Sequence, residues 1–170
     1  ATPASVEDVF LTQCDRAGVT PTLVRALDRA DVSGEMHAGI AREHADLPQA
    51  SFGVTKHPHR LGAPLELSVR TPRTLYAELA ALKPGYQAAN LACAVALAEE
   101  HLGRPLDQAA LFESLVTCPT PGRFQLLRPE PPVLIDACHN PQSVSAFLSA
   151  VAAVEPDVAN RPQLLCAVLA

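Results

Sequence analysis

Hydrophobic positions in this chain switch between two spacings, and the switches mark the elements. Val6, Val9, Phe10 and Cys14 recur three to four residues apart. Ser5 and Asp8 form a capping-box arrangement ahead of them and Gly18 stands behind, so a helix is predicted over 6–17 with those four residues on its apolar face. Residues 22–30 admit a helix. Residues 34–60 are polar, carry His37, His44, His57 and His59, and read as loop or edge strand. The period then falls to two. Leu65-Glu66-Leu67-Ser68-Val69-Arg70 alternates strictly, Leu75 to Leu79 follows a Pro-containing turn, and the pair predicts an antiparallel hairpin with one wet face. A long helix is expected from about Gln87 to Leu102, stopped by Gly103, and a second from Asp107 to about Leu115. The segment 117–122, with Pro119, Pro121 and Gly122, is rigid and non-helical and is the best interdomain linker. Beyond it, 123–127 and 133–135 read as paired strands, 142–154 as a helix and 164–169 as a buried parallel strand closing a βαβ unit.

The most informative stretch runs from Ile135 to Pro141. An apolar run ends at Asp136; His139 follows, and Asn140-Pro141 is a favoured way to cap and open a helix. An acid and a histidine therefore stand at a strand's carboxyl end against a helix N-terminus. In open α/β sheets that crevice is where ligands bind, and helix N-termini favour anions such as phosphate.

Composition narrows the field. The 170 residues are 48% hydrophobic and 18% charged, which is a core-forming composition. A net charge of −5 and only two lysines, Lys56 and Lys83, argue against a nucleic-acid binder. The longest apolar run, 91–98, is too short to span a bilayer, and no signal peptide opens the chain, so a cytoplasmic, membrane-free protein is expected if the chain is complete. Five cysteines, Cys14, Cys93, Cys118, Cys138 and Cys166, include no CxxC pair and read as reduced thiols, with Cys14, Cys93 and Cys166 in predicted apolar faces.

Three motifs then stand in order: Pro84-Gly85-Tyr86-Gln87-Ala88-Ala89-Asn90, Pro121-Gly122-Arg123-Phe124-Gln125 and Asp136-Ala137-Cys138-His139-Asn140-Pro141. Together they resemble the folylpolyglutamate synthase/dihydrofolate synthase family of the Mur ligase superfamily, clearly over 84–170 and loosely over 1–83. The resemblance implies an α/β fold: the rear part of a Mur-ligase-type central ATPase domain over residues 1–119, then the first βαβ unit of a Rossmann-like C-terminal domain over 120–170. It implies an ATP-dependent amide ligase that uses magnesium, phosphorylates a folate or dihydropteroate carboxylate, and lets the amino group of L-glutamate displace the phosphate. Positive groups and helix ends would stabilise the transferring phosphoryl charge.

By the same resemblance Asn90 would touch adenine, and its amide offers both a donor and an acceptor to a purine edge. Arg123 would hold ATP phosphates, which a guanidinium binds bidentately. Asp136 would accept from the ribose hydroxyls, and His139 would face the phosphoryl-transfer zone as the catalytic residue. Gly122 would let the chain turn at the junction.

Two departures stand out. Ala137-Cys138 replaces the usual Gly-Ala, which is costly if that glycine needs a positive φ. No GxxxxGK[ST] loop exists, since neither lysine precedes Ser or Thr. The reading is therefore an internal segment of a larger ligase, inactive alone, with the phosphate loop, magnesium acid and pterin site upstream. Rival readings are a Cys138/His139 hydrolase, a metal site from the four histidines, a non-catalytic nucleotide-binding-like module, and a cell-wall precursor ligase. Adjacent residues on an extended segment point apart, which disfavours the first. The substrate among folates and the oligomeric state are not legible.

Overall fold

Leu65, Leu67 and Val69 lie on one face of a strand and are fully sequestered, because alternate residues of an extended chain share a face. That strand, β3 (Leu65–Arg70), pairs antiparallel with β4 (Leu75–Ala81), as the alternation predicts. The other face of β3 is half-covered instead of wet: Ser68 is buried, and Glu66 and Arg70 are half-buried. The computed structural model describes residues 4–27, 44–118 and 120–163.

On its other edge β3 pairs antiparallel with β2 (Gln49–Lys56), which pairs in parallel with β1 (Leu23–Ala26), giving the order β1-β2-β3-β4. Two expectations are corrected here. Residues 22–30 are not helical where described: Leu23 to Ala26 form β1, and 28–30 lie outside the described residues. Pairing with β2, more than twenty residues away, overrides the local pattern. The polar stretch 34–60 contributes an interior strand. Ala50, Ser51, Phe52 and Gly53 are all buried in succession, so both faces of β2 are covered and no alternation marks it. Residues 34–43, with His37, lie outside the described residues.

Helix α1 (Ala4–Ala17) ends at Gly18 in the left-handed region, as read. Its buried side differs from the expected one. Val9 and Phe10 are exposed, while Glu7, Leu11 and Cys14 are half-buried and line a cleft with β1 and Cys93. The Arg25 guanidinium on β1 grips both oxygens of Glu7, one of them at 2.6 Å, and this pins the helix through charge instead of grease. The Ser5 side chain lies outside the described set, so the capping box there is not described.

A 3-10 turn at Gly85–Gln87 leads into α2 (Ala88–Leu102), whose Ala88, Ala92 and Val95 pack on the sheet. Gly103 closes it in the left-handed conformation. Asp107 caps α3 (Gln108–Thr117) by accepting from Ala110 N at 2.8 Å. The buried Glu99 of α2 accepts from Tyr76 Oη (2.5 Å) and Thr71 Oγ1 (2.7 Å), so the one fully enclosed carboxylate among the described residues is hydrogen-bonded on both oxygens.

The strands β5 (Gln125–Pro129) and β6 (Pro132–Ile135) form an antiparallel hairpin, and α4 (Pro141–Val154) follows it. Phe124, Phe147 and Val151 make a second, smaller core with Leu61 and Tyr86 reaching in from the first sheet's side. At Gly62 the two parts touch closely: a Cβ there would lie 2.9 Å from Leu126 Cδ2. The expected strand 164–169, with Cys166, lies outside the described residues. No disulfide joins the four described cysteines; Cys93 and Cys118 are exposed, which corrects the core placement of Cys93.

Candidate functional site

The turn Pro121 to Phe124 is built from two left-handed residues. Gly122 has φ +67° and needs no Cβ accommodation, whereas Phe124 holds φ +49° with a bulky side chain. That conformation persists because Phe124 is fixed from both ends. Its ring is buried edge-on against Phe147 at 5.7 Å, and its N–H donates to Asp136 Oδ2 at 2.7 Å. Gly122 N donates to Gln125 Oε1 at 3.0 Å and Gly122 O accepts from Ala137 N at 2.7 Å, so this turn and the segment after β6 are stitched together.

Asp136 therefore sits where both motifs meet. The same Oδ2 also accepts from Tyr86 Oη at 3.2 Å, while Oδ1 has no partner among the described residues. Burial, with the carboxylate of Asp136 beside it, pushes the Tyr86 phenol well above its ordinary pKa, so it remains a donor at neutral pH. Arg123, next to Phe124, is exposed, and no salt bridge engages its guanidinium among the described residues. Lys83 Nζ reaches across to Thr120 Oγ1 and to Arg123 O (3.2 Å), holding the turn from the first sheet's side; burial lowers its pKa.

Asn90 lies exposed in the first turn of α2, and its Nδ2 donates to Gln87 Oε1 at 2.8 Å. Tyr86 lies in the turn that leads into this helix, one residue ahead of Gln87. The imidazole of His57 packs against the Gly85 backbone: a Cβ there would meet His57 Nδ1 at 2.9 Å.

His139 is exposed, with Nδ1 at 3.1 Å from Ala137 O. A carbonyl only accepts, so Nδ1 carries the proton and Nε2 is the ring's acceptor nitrogen when neutral. The start of α4 uses donors on itself. Asn140 Oδ1 accepts from Ser143 N (2.8 Å), and Ser143 Oγ accepts from His139 N (3.1 Å) and Asn140 N (3.2 Å). Asn140-Pro141 caps as the sequence predicts. Ala137 does not have a positive φ, so alanine there carries no left-handed penalty.

A cleft of about 330 Å³ opens beside this junction, lined by Arg60, Lys83, Cys118, Thr120, Phe124 and Gln125 among others. None of Asn90, Arg123, Asp136 or His139 lines it. The structure thus joins Asp136 to the Arg123 turn directly and, through Tyr86, to the turn ahead of the Asn90 helix, and places His139 at the next helix start. Tyr86 stands in the first motif without an assigned role; a phenol directly after Gly85 in that motif was the available signal. Among the described residues no group of three or more His, Cys, Asp or Glu side chains is disposed to hold a metal ion, and no helix is long and apolar enough to cross a membrane.

No protein-family model matches the sequence. The chain is 28% identical over 141 residues to a probable bifunctional folylpolyglutamate synthase/dihydropteroate synthase of Halobacterium salinarum, covering 83% of this chain and 17% of that protein. It superimposes on the folylpolyglutamate synthase of Mycobacterium tuberculosis, crystallised with ADP and AMPPCP, with a TM-score of 0.64 at 24% identity, over 91% of this chain and 29% of that one. The Lactobacillus casei folylpolyglutamate synthetase gives a TM-score of 0.52 at 21% identity, over 62% of this chain and 28% of that one. The chain thus spans less than a third of the length of each of these relatives. Over the residues it shares with them, it has the α/β fold of the folylpolyglutamate synthases and resembles that family in sequence.

Proposed function

We propose that this chain supplies the nucleotide-side junction of an ATP-dependent carboxylate–amine ligase that adds L-glutamate to a folate or dihydropteroate. Residues 1–119 form the rear of its central ATP-binding domain and 120–170 the front of its C-terminal domain. The observation that carries the reading is Asp136: a carboxylate held on one oxygen by groups from both sides of the junction, Tyr86 Oη and Phe124 N, with the other oxygen left over. The likeness to a synthase crystallised with ADP and AMPPCP supports the nucleotide.

The residues fit such a ligand. Asp136 Oδ1 accepts from a ribose hydroxyl, Asn90 pairs with the adenine edge by exchanging its bond to Gln87, and the Arg123 guanidinium lies on the phosphates. His139, with Nδ1 held by Ala137 O, presents Nε2 toward the phosphoryl-transfer zone. ATP supplies the phosphoryl group that activates the acceptor carboxylate, and phosphate leaves when the glutamate amine attacks. The magnesium expected from the resemblance finds no set of ligands among the described residues, so no step is assigned through it here.

The test is ATP-dependent incorporation of labelled glutamate into dihydropteroate or tetrahydrofolate by the ligase that carries this segment. Arg123→Ala is expected to cost about 3 kcal/mol of transition-state stabilisation, roughly a hundredfold in turnover, as a lost preorganised phosphate contact does. A near-wild-type rate removes Arg123 from the site.

A further inference from the structure

We propose that Tyr86 is a positioning residue for the nucleotide site: its hydroxyl, donating across the junction to Asp136, selects which carboxylate oxygen faces the ribose and sets the spacing between the Asn90 helix and the Arg123 turn. The inference rests on the reading of Asp136 given above and assigns Tyr86, which that reading uses only to hold the carboxylate, a role in nucleotide binding.

Two features converge on the phenol. Its O–H reaches Asp136 Oδ2 at 3.2 Å, the oxygen already taken by Phe124 N at 2.7 Å, so the carboxylate is held in one rotation and Oδ1 is the oxygen left over. Its ring meets Phe124 edge-on at 6.3 Å and 80°, and Phe124 meets Phe147 likewise at 5.7 Å. The phenol is therefore aimed by the small aromatic core instead of swinging freely. Tyr86 also stands one residue ahead of Gln87, whose Oε1 accepts from Asn90 Nδ2 at 2.8 Å. The turn Gly85–Gln87 thus carries supports of both proposed base and ribose contacts. Outer partners that orient a contacting carboxylate typically matter about ten- to a hundredfold in affinity at metal sites, and the same orienting logic applies here.

Tyr86→Phe removes the hydroxyl and keeps the ring contacts, which separates positioning from packing. In the ligase carrying this segment, AMPPCP binding by calorimetry is expected to weaken about tenfold in Tyr86→Phe and at least about tenfold in Asp136→Asn. The double variant binds no more weakly than Asp136→Asn alone, because the hydroxyl acts only through that carboxylate. The thermal midpoint of Tyr86→Phe stays at the wild-type value, and the loss falls on KM for ATP with kcat little changed. If Asp136→Asn weakens binding while Tyr86→Phe does not, or if the two losses multiply, the positioning role is overturned and the nucleotide reading stands. A large fall in the midpoint accompanying the loss also overturns it, in favour of simple packing. If Asp136→Asn leaves AMPPCP binding intact, the reading of Asp136 falls and this inference with it.

Discussion

The sheet core and the junction core are held by different physics. Around Leu65, Leu67, Val69, Tyr76 and Leu79 the side chains are almost wholly removed from water, and α2 seals them with Ala88, Ala92 and Val95. The junction core is made by Phe124, Phe147 and Val151, each at 8–9% exposure, and the gaps between them are spanned by hydrogen bonds from Tyr86, Lys83 and Gly122. Apolar burial gives strength without direction, whereas hydrogen bonds give direction with little net strength. The comparison teaches why the proposed ligand contacts collect at the weaker of the two. Asp136 and Arg123 need orienting, and orientation is what the junction's bonds supply.

The contrast can be broken most sharply by truncation. Leu67→Ala is expected to destabilise by about 3–4 kcal/mol, since a fully enclosed leucine leaves a cavity that β2 and β4 on either side cannot close. Phe147→Ala should cost about 2 kcal/mol, because its site opens toward solvent and leaves less cavity. Denaturant midpoints compare the two directly. Equal losses would mean that the junction core is as tightly packed as the sheet. A smaller effect sharpens the picture: Asn140→Ala removes the cap and its reciprocal bond with Ser143, costing about 1 kcal/mol by the same measurement.

The smallest effect lies in the sheet half, where charge and not burial ties α1 to β1. The hydrogen bond from Arg25 holds the Glu7 carboxyl below its ordinary pKa. A depressed carboxylate contributes stability above its unfolded pKa, about 4.3, and loses it as pH falls through the folded value. The gap in thermal midpoint between wild type and Glu7→Gln should therefore be present at pH 7 and close on acidification below about pH 4. A gap that widens in acid would reverse the assignment.

What the sequence disclosed follows how local each signal is. The β3–β4 hairpin and α4 were legible because alternation at 65–70 and the Asn140-Pro141 opening are written in adjacent residues. Strand β2 was not, since Ala50, Ser51 and Gly53 are small and buried on both faces. Strand β1 depends on a partner more than twenty residues further along the chain. The same holds at the site. The motifs placed Asp136 and Arg123 near each other in meaning, yet the phenol that joins Asp136 to the Asn90 helix comes from 50 residues earlier, and no local pattern announces it. The apolar face of α1 was misjudged because periodicity ranks hydrophobicity and cannot foresee that Glu7 would meet Arg25.

Tyr76 carries a final consequence. From β4 its phenol donates to Glu99 on α2 and accepts the Leu106 amide at 2.7 Å, just ahead of α3. The connection from Gly103 to Asp107 is thereby gauged against the sheet at a single atom, and its length is not free to drift. One residue inserted there would pull Leu106 off that oxygen and strand a buried acceptor, so this short surface link should tolerate changes of side chain far better than changes of length.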